Sequence, residues 1–496
     1  MSKQGHTSKS TTKAYRSKQL FMGTVAILAL IIFLWGQGPN SIESRQPSLK
    51  SAAQIEEKES KDALSQADLA KFQAVYQAIQ SSYIEDIDKK ELIQGALKGM
   101  VGATQDPFSE YLTPEETQPL DDSMDGSFTG IGVQFTIKEG KVTVIAPIDK
   151  TPAQEAGILA NDIFIAVDGK KLEGLDTQAV VQLIRGKAGS SLTLTVQRGD
   201  SQFDVDLVRA EIPLTTVEGK LDPTDKEVGY LKISQFASTT YEELVDQLDQ
   251  LRTQGAKRFI FDLRYNPGGL LPTALSVTNL FMENGQVLMQ VQEKDKQAMP
   301  YFANDNEYGK EKVTEPYVVL VDEGSASASE ILAVAISENT DRPLVGTTTF
   351  GKGTVQTVSE LSDYGELKLT IAKWLSPEGH WIHKKGVKPD KQVERPAVAK
   401  AITLDSKTPL KKGDASAQVQ SASLMLDALG YDLAETSYYD EKMEAAVKAF
   451  QKDQGLEVTG QVQGQTSERL MDLTRDYLKE HDPQYQAALD LVKQEK

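Results

Sequence analysis

The sequence predicts a multidomain protein of mixed α/β and α+β class: an N-terminal membrane helix, a helical arm, a small domain of strands and turns, an α/β core and a small C-terminal helical domain. Three observations predict it. The chain has 496 residues, which at about 100–200 residues per domain is enough for several cores. Its hydrophobic period changes along its length, from helical spacing to short strands with glycine turns, then to strands alternating with helices, then back to helical spacing. An unbroken apolar run also lies near the start, at residues 20–35.

Composition narrows the partners. The net charge is −18, which disfavours a nucleic-acid partner and gives an acidic, solvated surface. There is no cysteine, so disulfides, thiol nucleophiles, thiolate metal sites and acylated cysteine are all excluded.

Residues 1–19 read as a cytoplasmic tail: Lys3, Lys9, Lys13, Arg16 and Lys18 precede the apolar run, and the first acidic residue is Glu43. The positive-inside rule then puts the rest of the chain outside the cytoplasm, on a single-pass anchor at residues 20–36. The run LFMGTVAILALIIFLW is about 24 Å long as a helix, short for a hydrocarbon core of about 30 Å. The following GQGPNSIES has no A-x-A cleavage pattern, which favours an uncleaved anchor over a cleaved signal peptide. Residues 37–63 are polar and low in aromatics, as in a flexible linker.

In residues 64–120, Leu69, Phe72, Val75, Tyr76 and Ile79 recur at helical spacing, and ELIQGALKGMV repeats the pattern before DPFSEYLTPEE ends it. Two amphipathic helices are expected, forming a hairpin or the arm of a homodimer. Residues 121–208 change to short strands: SFTGIGVQFTI, KVTVIAPI, then DIFIAVDGKKL, the helix TQAVVQLIRG and the strand SLTLTVQR. In TGIGVQF a glycine-rich turn enters a strand, a geometry whose unpaired N–H groups capture a peptide carboxylate while the strand edge pairs with the peptide. With AGILANDIFIAVDGKKL behind it, this stretch resembles a PDZ domain, and Gly130, Ile131, Gly132 and Val133 are then the carboxylate-binding loop.

Residues 209–398 alternate strand and helix: VGYLKISQF, YEELVDQLDQLR, KRFIFDLRYNPGG, PTALSVTNLFM, YVVLVDEGSASASEILAVAISEN, with ELKLTIAKWLSPEGHWIHKKGVKPDKQV as closing strands. This is an α/β core. Residues 413–478 are helical, and AVKAFQKDQGLEVTGQVQGQTSERL resembles the small peptidoglycan-binding modules of bacterial envelope enzymes. The amino half of the module departs from their pattern at Ala415 to Ala422, so peptidoglycan and a partner protein both remain open as ligands.

A hydrolase needs a nucleophile, a base and oxyanion donors. There are only four histidines. His380 and His383 stand three apart in a segment that reads as a strand, which turns them to opposite faces and argues against a shared metal; either one remains open as a base. Lysine offers an alternative. Lys352 lies between Gly351 and Gly353, which let the backbone approach a site closely. Its sequence neighbours include no acid, so burial would lower its pKa toward a neutral, basic amine. Gln356 could hold that amine by a hydrogen bond.

SASASEIL, GKGTVQ, DLRYNPGG and SPEG…GVKPD together resemble the carboxyl-terminal processing proteases, the S41 serine peptidases, over residues 64–393. The resemblance implies a ClpP/crotonase-like α/β protease core with Ser327 as nucleophile, Lys352 as base and Gln356 as their partner. It also implies oxyanion donors at Ala328 and at Gly268 or Gly269, and no cofactor. Ser325 and Ser329 are then capping or packing residues. Polypeptides would be bound through their carboxyl termini by the PDZ domain, and Arg185, at the end of the PDZ helix, is expected to touch the catalytic loop and gate it. Two competing expectations are a non-catalytic PDZ adaptor that tethers envelope proteins to the wall, and a crotonase-type enzyme acting on a CoA thioester.

Overall fold

The computed structural model describes residues 64–494 apart from 115, 118–125, 139, 149, 160, 176, 200 and 362–364. The tail, the expected membrane helix at 20–36 and the linker lie outside the described residues. Among the described residues no helix is long and apolar enough to cross a membrane.

The chain divides into two units, Met1–Ile84 and Glu85–Lys496. In the first, α1 (Gln66–Ser82) starts at a capping box in which Ser65 and Asp68 bond each other's backbone N–H. The apolar stripe read from the sequence is present but unburied: Leu69, Phe72 and Val75 are all about half-exposed or more.

The second unit begins with α2 (Lys89–Gly102), capped by Asp88. The stretch read as a helix terminator then forms a strand, β1 (Glu110–Leu112). Next come β2 (Ser127–Gly130), β3 (Val133–Lys138), β4 (Lys141–Pro147), the short α3 (Pro152–Glu155), β5 (Ile163–Val167), β6 (Lys170–Lys171), α4 (Thr177–Ile184), β7 (Ser191–Arg198) and β8 (Ser201–Val208). The sheet runs β3-β4-β5-β7-β8, with β6 beside β5. Alternate residues of β4 and β7 (Val142, Val144, Leu192, Leu194, Val196) meet Val180 and Ile184 of α4 in one core, as the period-two pattern requires. β3 is therefore an edge strand. β2 leaves this sheet and pairs with β9 (Ala210–Pro213) in a two-stranded ribbon.

The core follows: β10 (Val217–Leu221), β11 (Val228–Ile233), α5 (Thr240–Thr253), β12 (Arg258–Asp262), α6 (Leu271–Asn279), β13 (Val287–Glu293), β14 (Met299–Phe302), α7 (Asp305–Tyr308), β15 (Tyr317–Val321), α8 (Ala328–Asn339), β16 (Leu344–Gly346), β17 (Thr354–Glu360), β18 (Glu366–Leu375) and β19 (Lys391–Gln392). One sheet runs β10-β11-β12-β15-β16-β19, parallel except for β10. The continuous apolar run YVVLV forms β15 and is buried at every position, the signature of a strand covered on both faces. The segment expected to supply closing strands to this sheet divides instead. Only β19 joins it, whereas β18 lies at the centre of a second, antiparallel sheet with β17, β1, β13 and β14. Strand period fixes which face is apolar but does not identify the pairing partner.

The C-terminal helices are α9 (Ala417–Ala428), α10 (Glu441–Asp453), α11 (Gln465–Glu480) and α12 (Pro483–Val492). The first three enclose a core around Tyr439, Val447, Phe450 and Leu470. α12 does not join them. Its Ala488, Leu489 and Val492 pack on Val228, Ile260, Val318, Leu320 and Val345 of the parallel sheet.

Candidate active site

The three serines of SASASE have different surroundings. Ser325 is fully buried; its hydroxyl donates to Leu263 O at 2.8 Å and accepts from Asp322 N. Ser329 is also fully buried and donates to Asn266 O at 2.9 Å. Both hydroxyls are consumed in holding the turn to the DLRYNPGG loop. Ser327 alone is partly exposed. It precedes α8 at φ +56°, a left-handed conformation that is strained for a residue other than glycine. Of the three serines, only Ser327 combines partial exposure with a strained backbone at the head of α8. This environment separates Ser327 from its neighbours, which local sequence could not do.

Gly268 lies directly beneath. A Cβ there would stand 2.8 Å from Ser327 Cβ and 2.7 Å from Ala326 O, and its φ of +98° also demands glycine. Gly268 N–H donates to Asn266 Oδ1 at 2.9 Å. The N–H groups of Gly269 and Ala328 carry no hydrogen bond among the described residues. Of the two glycines expected as oxyanion donors, Gly269 is thus the one with a free N–H. Asp322 braces the loops from behind: its Oδ1 accepts from Tyr265 N and Gly324 N, both at 2.9 Å, while Oδ2 is buried without a partner. Burial pushes its carboxyl up to about 6.

Lys352 lies on a second wall, the loop that leads into β17. Gly351 and Gly353 allow the close approach read from the sequence: a Cβ on Gly351 would press on the backbone of Lys384 and Lys385, and one on Gly353 on His383 N and the Trp381 indole. The backbone here is pinned on every side. Trp374 Nε1 donates to Lys352 O and Trp381 Nε1 to Gly353 O, both at 2.8 Å, and Gly353 N donates to His383 Nδ1 at 3.2 Å.

The two walls are joined by Glu330, fully buried in the first turn of α8. One of its oxygens accepts from Ser327 N at 2.9 Å and from Lys352 N at 2.8 Å; the other accepts from Gly351 N and Thr349 Oγ1, both at 2.6 Å. A single carboxylate therefore fixes the serine backbone against the lysine backbone. The sequence signal for it was slight, a Glu three residues into a helix, which also fits an ordinary capping box.

Burial lowers the pKa of Lys352, and the Lys368 ammonium lowers it further, against the opposing charges of Asp106 and Glu330. The sequence places no acid beside this lysine, but the fold brings two near. Lys352 Nζ also lies 5.0 Å from the centroid of the Phe108 ring. A ring face favours the ammonium by about 0.5–1 kcal/mol at a partly exposed site, less than one pH unit, and the net direction remains downward. Phe108 and Asp106 belong to the DPFSEYL stretch. Asp106 accepts from Ser109 Oγ at 2.6 Å, Ser109 Oγ accepts from Thr370 N, and β1 pairs with β18. The contacts of this stretch with Lys352 and β18 were not legible in sequence, because they cross more than 240 positions.

Gln356 follows a register shift in β17. Its Nε2 donates to Thr354 Oγ1 at 2.9 Å and to Thr370 Oγ1 at 3.1 Å, and no hydrogen bond joins it to Lys352. The HWIH segment is a loop following β18 and not a strand, since its indole and backbone groups are engaged with the lysine loop. His383 stacks on Trp381 at 5.1 Å, and burial lowers its pKa. His380 is elsewhere, with Nδ1 at 3.2 Å from a Glu338 carboxylate oxygen and 3.8 Å from one of Glu378. The two histidines thus occupy separate environments.

In the small strand domain, Ile131 is buried and Gly132 has φ +73°; a Cβ on Gly132 would collide with Thr151, whose hydroxyl donates to Gly132 O at 3.0 Å. Gly130 ends β2 and Val133 begins β3, so the loop opens onto the sheet edge. The Arg185 guanidinium lies over the Phe128 ring of β2 at 5.2 Å, and burial lowers its pKa.

Comparison with known proteins gives a consistent result. The family model for peptidase family S41 matches residues 227–393, a PDZ domain model 129–208, a peptidoglycan binding domain model 415–470 and the model of the activating protease CtpB N-terminal domain 32–117. The carboxy-terminal processing protease CtpA of Bacillus subtilis (strain 168) is 41% identical over 426 residues, covering 86% of this chain and 90% of its own. A CtpA-like serine protease of Staphylococcus aureus (strain MSSA476) is 36% identical over 430 residues, 86% of each chain. Among solved structures, the photosystem II D1 C-terminal processing protease aligns at 28% identity with a TM-score of 0.39, over 66% of this chain and 92% of its own.

Proposed function

The chain belongs to peptidase family S41 and is a carboxy-terminal processing serine protease with a PDZ domain; from that premise we propose that Ser327 is its nucleophile and Lys352 its base. The observation that supports this most strongly is the Glu330 carboxylate shared by the backbones of those two residues. Family membership displaces the readings as a non-catalytic adaptor and as a CoA-thioester enzyme.

Neutral Lys352 takes the Ser327 proton as the hydroxyl attacks the scissile carbonyl. The oxyanion is received by Ala328 N–H and Gly269 N–H, each donor worth about 3–4 kcal/mol. The protonated lysine gives its proton to the leaving amine. Water then enters, Lys352 deprotonates it, and the acyl-enzyme is hydrolysed. Gln356 makes no hydrogen bond to Lys352 in this structure, and its carbonyl oxygen, which has none among the described residues, is left to accept from the ammonium once Lys352 has taken the proton.

Substrate polypeptides add as a strand to the free edge of β3, with the terminal carboxylate at the loop of Gly130, Ile131, Gly132 and Val133. Arg185 acts as the gate through Phe128, because β2 and β9 form the ribbon between this domain and the core. The enzyme is held in the bacterial cell membrane by its N-terminal run with the catalytic part outside the cytoplasm. The unburied stripe of α1 serves a homodimer, and the C-terminal domain engages peptidoglycan or a partner protein.

The test uses the full chain and an unfolded polypeptide with an apolar carboxyl end, free or amidated. Cleavage should be at least several-fold faster for the free end in the parent protein, equal for both ends in Gly132→Ala, and absent in Ser327→Ala. Equal rates in the parent would overturn carboxyl-end selection, and cleavage by Ser327→Ala would overturn the nucleophile.

A further inference from the structure

The oxyanion turn, residues 264–269, is held from the side opposite Ser327 by the end of the chain. Arg264 is the contact. Its side chain is only 10% exposed and is clamped by Asp262, with Nε at 2.9 and 3.0 Å from the two carboxylate oxygens and Nη2 at 2.6 Å from one of them. Its remaining amino group, Nη1, donates to Asp482 at 2.8 Å and to Gln484 Oε1 at 3.1 Å. Asp482 is the N-cap of α12 and also accepts from Tyr485 N. Gln484 is fully buried and donates through Nε2 to Val393 O at 2.8 Å. Tyr485 donates to Asp222 at 2.6 Å, and its ring meets Tyr230 edge-on, whose own hydroxyl donates to Asp262 at 2.7 Å.

These contacts form one connected network across the face of the parallel sheet that α12 covers. A guanidinium with two anionic partners in fixed fork geometry has little freedom to swing. Arg264 is followed at once by Tyr265 in the left-handed region at φ +61° and by Asn266. Asn266 donates to Ile233 O and accepts from Gly268 N, Ala326 N and Ser329 Oγ. Displacing Arg264 therefore displaces the peptide that carries Gly269 N–H relative to Ser327.

We propose that α12 is a working part of the protease core and that Asp482 is a positioning residue for the oxyanion turn, acting through Arg264. This rests on the assignment of Ser327 and Gly269 made above. A misplacement of about 1 Å can cost about 10²-fold in rate, so a partial loosening should be visible in kcat, while KM, set by distant contacts, should change little.

The test compares Asp482→Asn, Asp482→Glu, Leu489→Ala and Ser327→Ala in the full chain, with kcat, KM and melting temperature measured for each. Asp482→Asn should lower kcat about 10-fold, well short of the ~10²-fold of a full 1 Å misplacement, with KM within a factor of about two. Asp482→Glu should restore most of the loss. Leu489→Ala, which thins the packing of α12 without touching Arg264, should lower the melting temperature and leave kcat near the parent value. An unchanged kcat in Asp482→Asn, or an equal kcat loss in Leu489→Ala, would overturn the proposal. If Asp482→Asn fails to fold, Gln484→Met at the same guanidinium replaces it: a kcat loss at constant KM supports the proposal, and parent kcat overturns it. Activity surviving in Ser327→Ala would instead overturn the nucleophile assignment on which the proposal rests.

Discussion

The serine and lysine walls of the site are held in place differently. The serine wall stands on a parallel sheet with α12 packed on it, and its turn residues Asn266, Ser325 and Ser329 are fully buried. The lysine wall stands on the antiparallel strands β17 and β18, which are mostly half-exposed, and the lysine loop is fixed by directional bonds from Glu330, Trp374, Trp381 and His383. Packing and buried hydrogen bonds together hold the groups that must not move, the proposed nucleophile and oxyanion donors. Hydrogen bonds and charges set the group whose protonation must change. Substitutions that displace the turns of the serine wall should therefore alter rate and stability together, and those on the lysine wall should chiefly alter the pH dependence.

The largest effect should come at the tie between the walls. Glu330→Gln places an amide where four donors converge, leaving donors opposed and the buried groups unpaired, a class of change that costs about 3–5 kcal/mol. The melting temperature should drop markedly and kcat should fall by about 10²-fold or more. Parent-like values of both would show that the walls are held independently.

A medium effect is expected on the lysine wall. With Lys352 as the proposed base, activity requires its neutral form, so kcat/KM should rise with pH through its lowered pKa. Lys368→Gln removes a like charge, returns the pKa toward its ordinary value and moves the rising limb to higher pH. Asp106→Asn removes an opposing charge and moves the limb to lower pH. Each shift should be less than about one pH unit, that is below about 1.4 kcal/mol. Shifts in the same direction for both variants would contradict the electrostatic account. The smallest effect should come from the serine wall alone: Ser329→Ala loses one buried hydrogen bond, about 1 kcal/mol of stability, with the pH limb unmoved.

The same contrast governs what the sequence made legible. Strand and helix alternation through residues 209–398 was readable because YVVLV, KRFIFD and YEELVDQLDQLR carry their own periods. Lys352 was singled out by its flanking glycines, the scarcity of histidines and the absence of cysteine. Selecting Ser327 from three serines needed the resemblance, because the difference lies in burial and in a backbone angle, neither of which local composition encodes. β1, Phe108 and Asp106 were missed because three residues that pair with Lys368 and its neighbours have no period of their own. The placement of β18 in a separate sheet was missed for a related reason, since alternation does not name a partner. α12 was missed because its apolar face completes a sheet that lies far earlier in the chain.

Covalent labelling with a fluorophosphonate tests the central claim most directly, because such reagents react with a serine whose proton is removed by a nearby base. Full-length protein is labelled near neutral pH and the modified peptide is mapped by mass spectrometry, in parallel with Lys352→Ala. The account predicts label on Ser327, none on Ser325 or Ser329, and a rate that falls by about 10³-fold or more in Lys352→Ala, as when a nucleophile loses its base. Label on another serine, or an undiminished rate on Ser327 without Lys352, would contradict it.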